Sequence, residues 1–150
     1  MNKKPVLDLT ATYTDLYELT MGQAYFLTGR KDEPAVFDYF FRKNPFKGGY
    51  TIFAGLPDLL AVLEGFRFSK DDLDFLKGQS FHRDYLAYLK GFRFRGTIYS
   101  QREGDVVFPT RPILRVDGDL IETQLIETVL LNILNFQSLI ATKASRMRLA

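Results

Sequence analysis

Gly48 and Gly49, which follow Asn44, Pro45 and Phe46, could bring backbone N–H groups up to a phosphate without help from any side chain. The same residues also make an ordinary turn, which is their commoner use. Arg42, at the end of an aromatic run, and Lys143, near the C-terminus, are cations able to hold an anion. Solvated charges at a strand end or on a basic helix face are the plainer reading of both. Arg93, Phe94, Arg95 and Tyr99 interleave basic and aromatic side chains, as modules that track a single nucleic-acid strand do. Asp15 and Glu18 have the spacing of a capping box. Tyr17 then falls on the first turn of the helix they open, where a tyrosine ordinarily packs on the core. The one histidine, His82, stands in the polar stretch from Gln79 to Asp84 and is read as exposed. Cysteine is absent, which excludes disulfides, thiolate metal sites and a cysteine nucleophile.

The elements that must carry these residues follow from periodicity. The first helix takes Leu16, Leu19, Ala24 and Leu27 at roughly helical spacing and stops at Gly29. After Pro34, the run from Ala35 to Arg42 is dense in Phe and Tyr and reads as a buried strand. Tyr50 to Ala54 is a second, short strand. Gly55 and Pro57 lead into a helix with Leu59, Leu60, Val62 and Leu63 as its apolar positions. Ser69 with Asp72 marks another helix start, and Arg83 to Leu89 makes a further short helix. From Phe92 the pattern turns to short apolar runs broken by Gly104, Pro109 and Pro112, a small β-rich region. Asp119 and Glu122 repeat the capping-box spacing ahead of a long helix. Its residues Ile121, Leu125, Val129, Leu130, Ile133 and Leu134 leave little polar face, so burial is expected. The helical pattern continues through Ala141, Ala144 and Met147 and reaches Ala150 without a cap, so further chain is expected after it. GFRF occurs at Gly65–Phe68 and again at Gly91–Phe94, in contexts too different for a repeat architecture.

Composition narrows the function classes. Apolar residues make up 46% and charged residues 25% of the 150 positions, close to ordinary globular usage and far from that of disordered chains. The chain is long enough for one domain with a real core. A formal net charge of +2 supplies no wide basic stripe, which weighs against the nucleic-acid reading of Arg93–Tyr99. Met1 to Asp8 has two lysines but no apolar signal core, and no uncharged stretch reaches the ~20 apolar residues of a spanning helix. A cytoplasmic protein, off the membrane and without a nucleic-acid partner, is the expectation.

Four segments in order resemble one family: TDLYELTMGQAYF (Thr14–Phe26), FDYFFRKNPFKGGYTIFAGL (Phe37–Leu56), EGDVVFPTRPILRVDGDL (Glu103–Leu120) and QLIETVLLNILNFQSLIATKASR (Gln124–Arg146). They are similar to the N-terminal part of nicotinate phosphoribosyltransferase. The resemblance implies an α/β (α+β) fold, the N-terminal domain of a type II phosphoribosyltransferase that leads into an irregular α/β barrel mostly absent here. Residues 1–136 would be that domain and 137–150 the start of the barrel. It implies coupling of nicotinate to 5-phosphoribosyl-1-pyrophosphate, with ATP as co-substrate and Mg2+ accompanying the phosphoribosyl pyrophosphate. The product is nicotinate mononucleotide, made at an active site shared across a homodimer.

Site roles come from the same resemblance, position by position. Tyr17 falls on the tyrosine of TDLY, which implies stacking against the nicotinate ring of the neighbouring subunit. Asp15 lies near the same site. Arg42 matches an arginine that reaches phosphate groups across the dimer. Lys43 beside it, and Thr142, Lys143 and Arg146 of ATKASR, are further candidates for substrate contact. No catalytic residue and no metal ligand is assigned. The phosphorylated histidine of the family, the second aromatic against the base and the main ribose-phosphate loop are implied to lie beyond Ala150. His82 does not match that histidine, and the chain by itself is expected not to turn over substrate. The alternative readings are a non-catalytic dimerisation or interaction fragment and, behind it, the single-strand-binding module.

Overall fold

The computed structural model describes residue 7 and residues 9–149. The reading of the N-terminus rests on Met1–Val6 and Asp8, and that of the C-terminus on Ala150. These lie outside the described residues. The elements run α1 Leu16–Leu27, β1 Pro34–Tyr39, a 3-10 turn Pro45–Lys47, β2 Thr51–Ile52, α2 Leu56–Gly65, α3 Lys70–Gly78 and α4 Arg83–Lys90. After these come β3 Thr97–Ser100, β4 Val106–Val107, β5 Leu114–Asp119, α5 Leu120–Leu125 and α6 Glu127–Leu149.

One antiparallel sheet has the order β1-β5-β3, with Pro34 opposite Asp119, Tyr39 opposite Leu114 and Ile98 opposite Val116. A second pairs β2 with β4 through two residues each. Leu114 and Val116 of β5 alternate inward and Arg115 outward, so the middle strand meets the core on one face only. Helix α5 lies against β5 and β1, and α6 against β2 and α2. Ile121, Leu125, Val129, Leu130, Ile133 and Leu134 are buried as the spacing predicts, and Ile126 is buried with them. The aromatic side chains belong to the same core. Phe92 meets Phe66 edge-on at 6.4 Å and Phe68 at 5.7 Å, so phenylalanines of the two GFRF copies pack on one another.

Five expectations are corrected. β1 ends at Tyr39 and its faces alternate, with Val36 53% exposed, so the aromatic run is an edge strand and not a buried one. Leu16 and Leu27 face solvent, because the inward side of α1 is set by Glu18, Leu19 and Gly22. Asp15 stands at the N-cap but makes no side-chain cap bond, since its intended partner Glu18 is engaged elsewhere. Asp119 likewise makes none: Glu122 accepts from the Arg95 backbone N–H at 2.7 Å, and the expected long helix breaks at Ile126 into α5 and α6. The Ser69–Asp72 capping box forms in full, at 3.1 and 2.7 Å.

Tyr85 is wholly buried, and its hydroxyl has no hydrogen-bond partner among the described residues. It points at Gly22, where an added Cβ would stand 2.5 Å from the oxygen. Tyr85→Phe removes a polar atom without breaking a bond, so urea unfolding should find the variant as stable as the native chain or about 1 kcal/mol more so. Gly22→Ala should cost about 2 kcal/mol, and visibly less in the Tyr85→Phe background.

Candidate functional site

The first turn of α1 meets the start of α6 at one end of the molecule. Glu18 is fully buried. It accepts from the Thr14 hydroxyl on one oxygen, and from the Thr128 N–H at 3.1 Å and hydroxyl at 2.6 Å on the other. Burial pushes its pKa up, with Glu127 adding to the effect and the threonine bonds opposing it. Because Glu18 points inward, Tyr17 one position earlier is turned outward and is 46% exposed. Partial burial and the Glu127 carboxylate beside it, reinforced by Glu18 and Asp15, push the Tyr17 hydroxyl pKa up, so the phenol stays neutral. Asp15 is exposed at the helix entry. This end therefore presents a neutral aromatic ring within a fringe of carboxylates.

A second end is built around the loop after β1. Arg42 and Lys43 form an exposed bend and make no hydrogen bond or ion pair among the described residues. Before them, the Phe41 carbonyl accepts from Thr110 N–H at 2.8 Å. After them, Phe46 and Lys47 both adopt left-handed backbone, at φ 57 and 53, a strain of about 1–2 kcal/mol per residue outside glycine. Arg146 of α6 reaches into this loop. Its guanidinium donates to the carbonyls of Pro45 at 3.2 Å and Tyr50 at 3.1 Å, and lies 5.6 and 5.4 Å from the Phe46 and Tyr50 ring centres. Lys143 places its ammonium 5.0 Å from the Phe46 ring centre. Thr142 is fully buried, accepts from Ile52 N–H at 2.8 Å and donates to Ser138 at 2.6 Å. Thr142 and Arg146 are thus spent on the fold, because the helix face that carries them lies against β2 and the 45–50 loop. A Cβ on Gly48 would fall 1.7 Å from the guanidinium, so that glycine makes room for Arg146.

The seven candidates do not gather at one point. Glu127, beside Tyr17, and Lys143 are sixteen residues apart on one helix, ~24 Å at ~1.5 Å per residue. Between the two ends run two grooves that share Tyr39. The first is lined by Phe37, Tyr39, Glu127 and Leu130, the second by Tyr39, Phe41, Lys43 and Leu139. Tyr39 itself is held by its hydroxyl donating to Asn135 at 2.9 Å. Residues given no site role in the sequence enter here: Glu127 beside the tyrosine, and Phe46 and Tyr50 around the arginine. The spacing of Glu18, Gly22 and Phe26 along one face of α1 was the available sign that Glu18 turns inward.

His82 is exposed and caps α4, its Nδ1 accepting from Asp84 N–H at 3.2 Å. Arg93 and Arg95 precede β3 and only Tyr99 lies on it, so the basic-aromatic run is not one strand. Among the described residues no three His, Asp or Glu side chains gather as a metal site, and no helix is long and apolar enough to cross a membrane.

Residues 12–135 match the family model of the nicotinate phosphoribosyltransferase (NAPRTase) N-terminal domain. The chain belongs to the nicotinate phosphoribosyltransferase family. It is 48% identical over 141 residues to nicotinate phosphoribosyltransferase of Caenorhabditis elegans, covering 91% of this chain and 25% of that protein. With the Bacillus subtilis enzyme of the same name it shares 46% over 142 residues, 94% of this chain and 29% of the other. The crystal structure of human nicotinic acid phosphoribosyltransferase superposes with a TM-score of 0.84 at 37% identity, over 91% of this chain and 28% of that one. The chain thus spans between a quarter and three tenths of the length of these family members. Its mixture of helix and sheet is that of the N-terminal domain of a type II phosphoribosyltransferase.

Proposed function

We infer that this chain forms the N-terminal part of a nicotinate phosphoribosyltransferase and supplies one side of an active site that it does not complete. The observation that carries the reading is the match of residues 12–135 to the N-terminal domain alone, in relatives about four times as long. The reaction joins nicotinate to 5-phosphoribosyl-1-pyrophosphate, with ATP and water consumed and nicotinate mononucleotide, pyrophosphate, ADP and phosphate released. Residues 1–136 serve as the N-terminal domain and 137–150 as the start of the next. Helix α6 passes from one to the other without a break.

Tyr17 offers its exposed ring to the flat, electron-poor base, with Asp15 at the rim. Arg42, with Lys43 beside it, offers unpaired charge to the phosphates, where pyrophosphate departure leaves oxocarbenium-like charge on the ribose. Tyr17 lies beside Glu127 at the start of α6, Lys43 shares a groove with Asn135, Ser138 and Leu139 near its middle, and a site shared by two copies would bring the two sets together. Lys143 remains a lesser candidate beside Phe46. Mg2+ enters with the phosphoribosyl pyrophosphate, and ATP is handled by residues not assigned to this chain. A cytoplasmic homodimer completes the reading.

The test is nicotinate mononucleotide formation from nicotinate, phosphoribosyl pyrophosphate and ATP. It is run with this chain alone and with a full-length relative that has lost the tyrosine matching Tyr17. Product in the mixture only is the expected result. Product from the chain alone would refute the incomplete site. A folded chain with no product in either would favour an interaction fragment, a reading that the exposed Phe136 and Ile140 on α6 also suit.

A further inference from the structure

We propose that Arg146 is a positioning residue: it fixes the loop of residues 44–50 and thereby sets where Arg42 and Lys43 present their charge. This rests on the reading of Arg42 as a phosphate contact. The geometry is that of a clasp. One guanidinium amino nitrogen donates to the Pro45 carbonyl at 3.2 Å and faces the Phe46 carbonyl at 3.5 Å, and the other donates to Tyr50 at 3.1 Å. Carbonyls of residues 45 and 46 converge on one point because Phe46 and Lys47 are held in left-handed backbone, a conformation that two non-glycine residues do not keep unaided. The rings of Phe46 and Tyr50 lie against the same guanidinium.

A planar fork with several N–H groups can serve separate carbonyls and lie against rings at once. A lysine ammonium, a point charge, cannot. Arg42 and Lys43 have no side-chain bonds of their own among the described residues, so their placement derives from the backbone on either side. Upstream, Phe41 is tied to Thr110 at 2.8 Å; downstream, Asn44 accepts from the Thr51 hydroxyl at 3.3 Å and Arg146 holds the carbonyls beyond it. Gly48 admits the clasp, since a Cβ there would stand 1.7 Å from the guanidinium and displace it.

Arg146→Ala, Gly48→Ala and the double variant of the 150-residue chain are digested with trypsin. Initial cleavage after Arg42, Lys43 and Lys47 is followed by mass spectrometry, with helix content and thermal midpoint as checks on the rest of the fold. Each single variant should raise loop cleavage about tenfold, and the double no further, because both remove one contact. Arg146→Lys should cleave like Arg146→Ala. Inorganic pyrophosphate should slow cleavage after Arg42 and Lys43 in the native chain and fail to do so in Arg146→Ala. If Arg146→Ala loses helix content, Gly48→Ala carries the test. Unchanged loop cleavage in the single variants, rates that multiply in the double, or pyrophosphate protection retained in Arg146→Ala would each overturn the proposal. A loosened loop with no protection even in the native chain would instead remove Arg42 from the phosphate reading and leave the clasp standing.

Discussion

Glu18→Ala is expected to destabilise the fold by about 3 kcal/mol, while Glu18→Gln changes it by less than ~1 kcal/mol at neutral pH. Alanine leaves the Thr128 N–H and the hydroxyls of Thr128 and Thr14 without their acceptor where α1 meets α6. Glutamine keeps a carbonyl oxygen for the Thr128 pair and turns its amide toward the Thr14 hydroxyl, which can accept. The two variants also separate by pH. Glu18 has a folded pKa raised above its unfolded value, chiefly by burial. Its contribution is therefore fully present below the ordinary glutamate value and is lost as pH rises through the folded pKa. Relative to Glu18→Gln, which does not titrate, the native chain should be most stable in acid and lose that advantage toward neutral pH. Urea unfolding of both chains in parallel from pH 4 to 8 measures the difference, with other titrating groups cancelling. A difference that does not vary with pH would mean that Glu18 titrates alike in both states.

Tyr17→Ala, assayed in the mixture with the tyrosine-deficient relative, should bring no gain over that relative alone, leaving a KM for nicotinate about tenfold to a hundredfold above that of the mixture with the native chain. Aromatic stacking on a base is worth about 1–3 kcal/mol. Tyr17→Phe should stay within about threefold, since the ring and not the hydroxyl makes the contact. The hydroxyl pKa is pushed up by partial burial and Glu127, so Tyr17 should contribute no limb to the rate profile in the neutral range. Replacement by alanine without change in KM would take Tyr17 out of the site. Equal losses in the Ala and Phe variants would assign the role to the phenol oxygen.

Local patterns were legible where their partners are local. Ser69 and Asp72 close a capping box because both bonds lie within one turn, and Val129, Leu130, Ile133 and Leu134 of α6 are buried as their spacing requires. Asp15 and Glu18 have the same spacing and do not close one, because Glu18 finds Thr128 110 residues away and is drawn inside. Local spacing sets Glu18 on one face with Gly22 and Phe26, but it does not single out Thr128 as the partner. The placement of Arg42 just beyond an aromatic strand could be read from the chain, although the strand stops three residues earlier than its composition suggests. Arg146 looked like a basic residue available to an anion. Its bond to Pro45 spans 101 residues, so its engagement with the loop became visible only with the fold assembled.

The pairing of β1 bears on the order in which the chain can fold. Among the described residues β1 pairs only with β5, about 80 positions on, and α1 seats Glu18 on Thr128, so early elements wait for ones made much later. During synthesis α1 and β1 emerge with an open edge and an unpartnered carboxylate, and neither is settled until β5 and the first turn of α6 have left the ribosome. Contacts of such long sequence separation predict slow, late folding and a nascent chain with a prolonged call on chaperones.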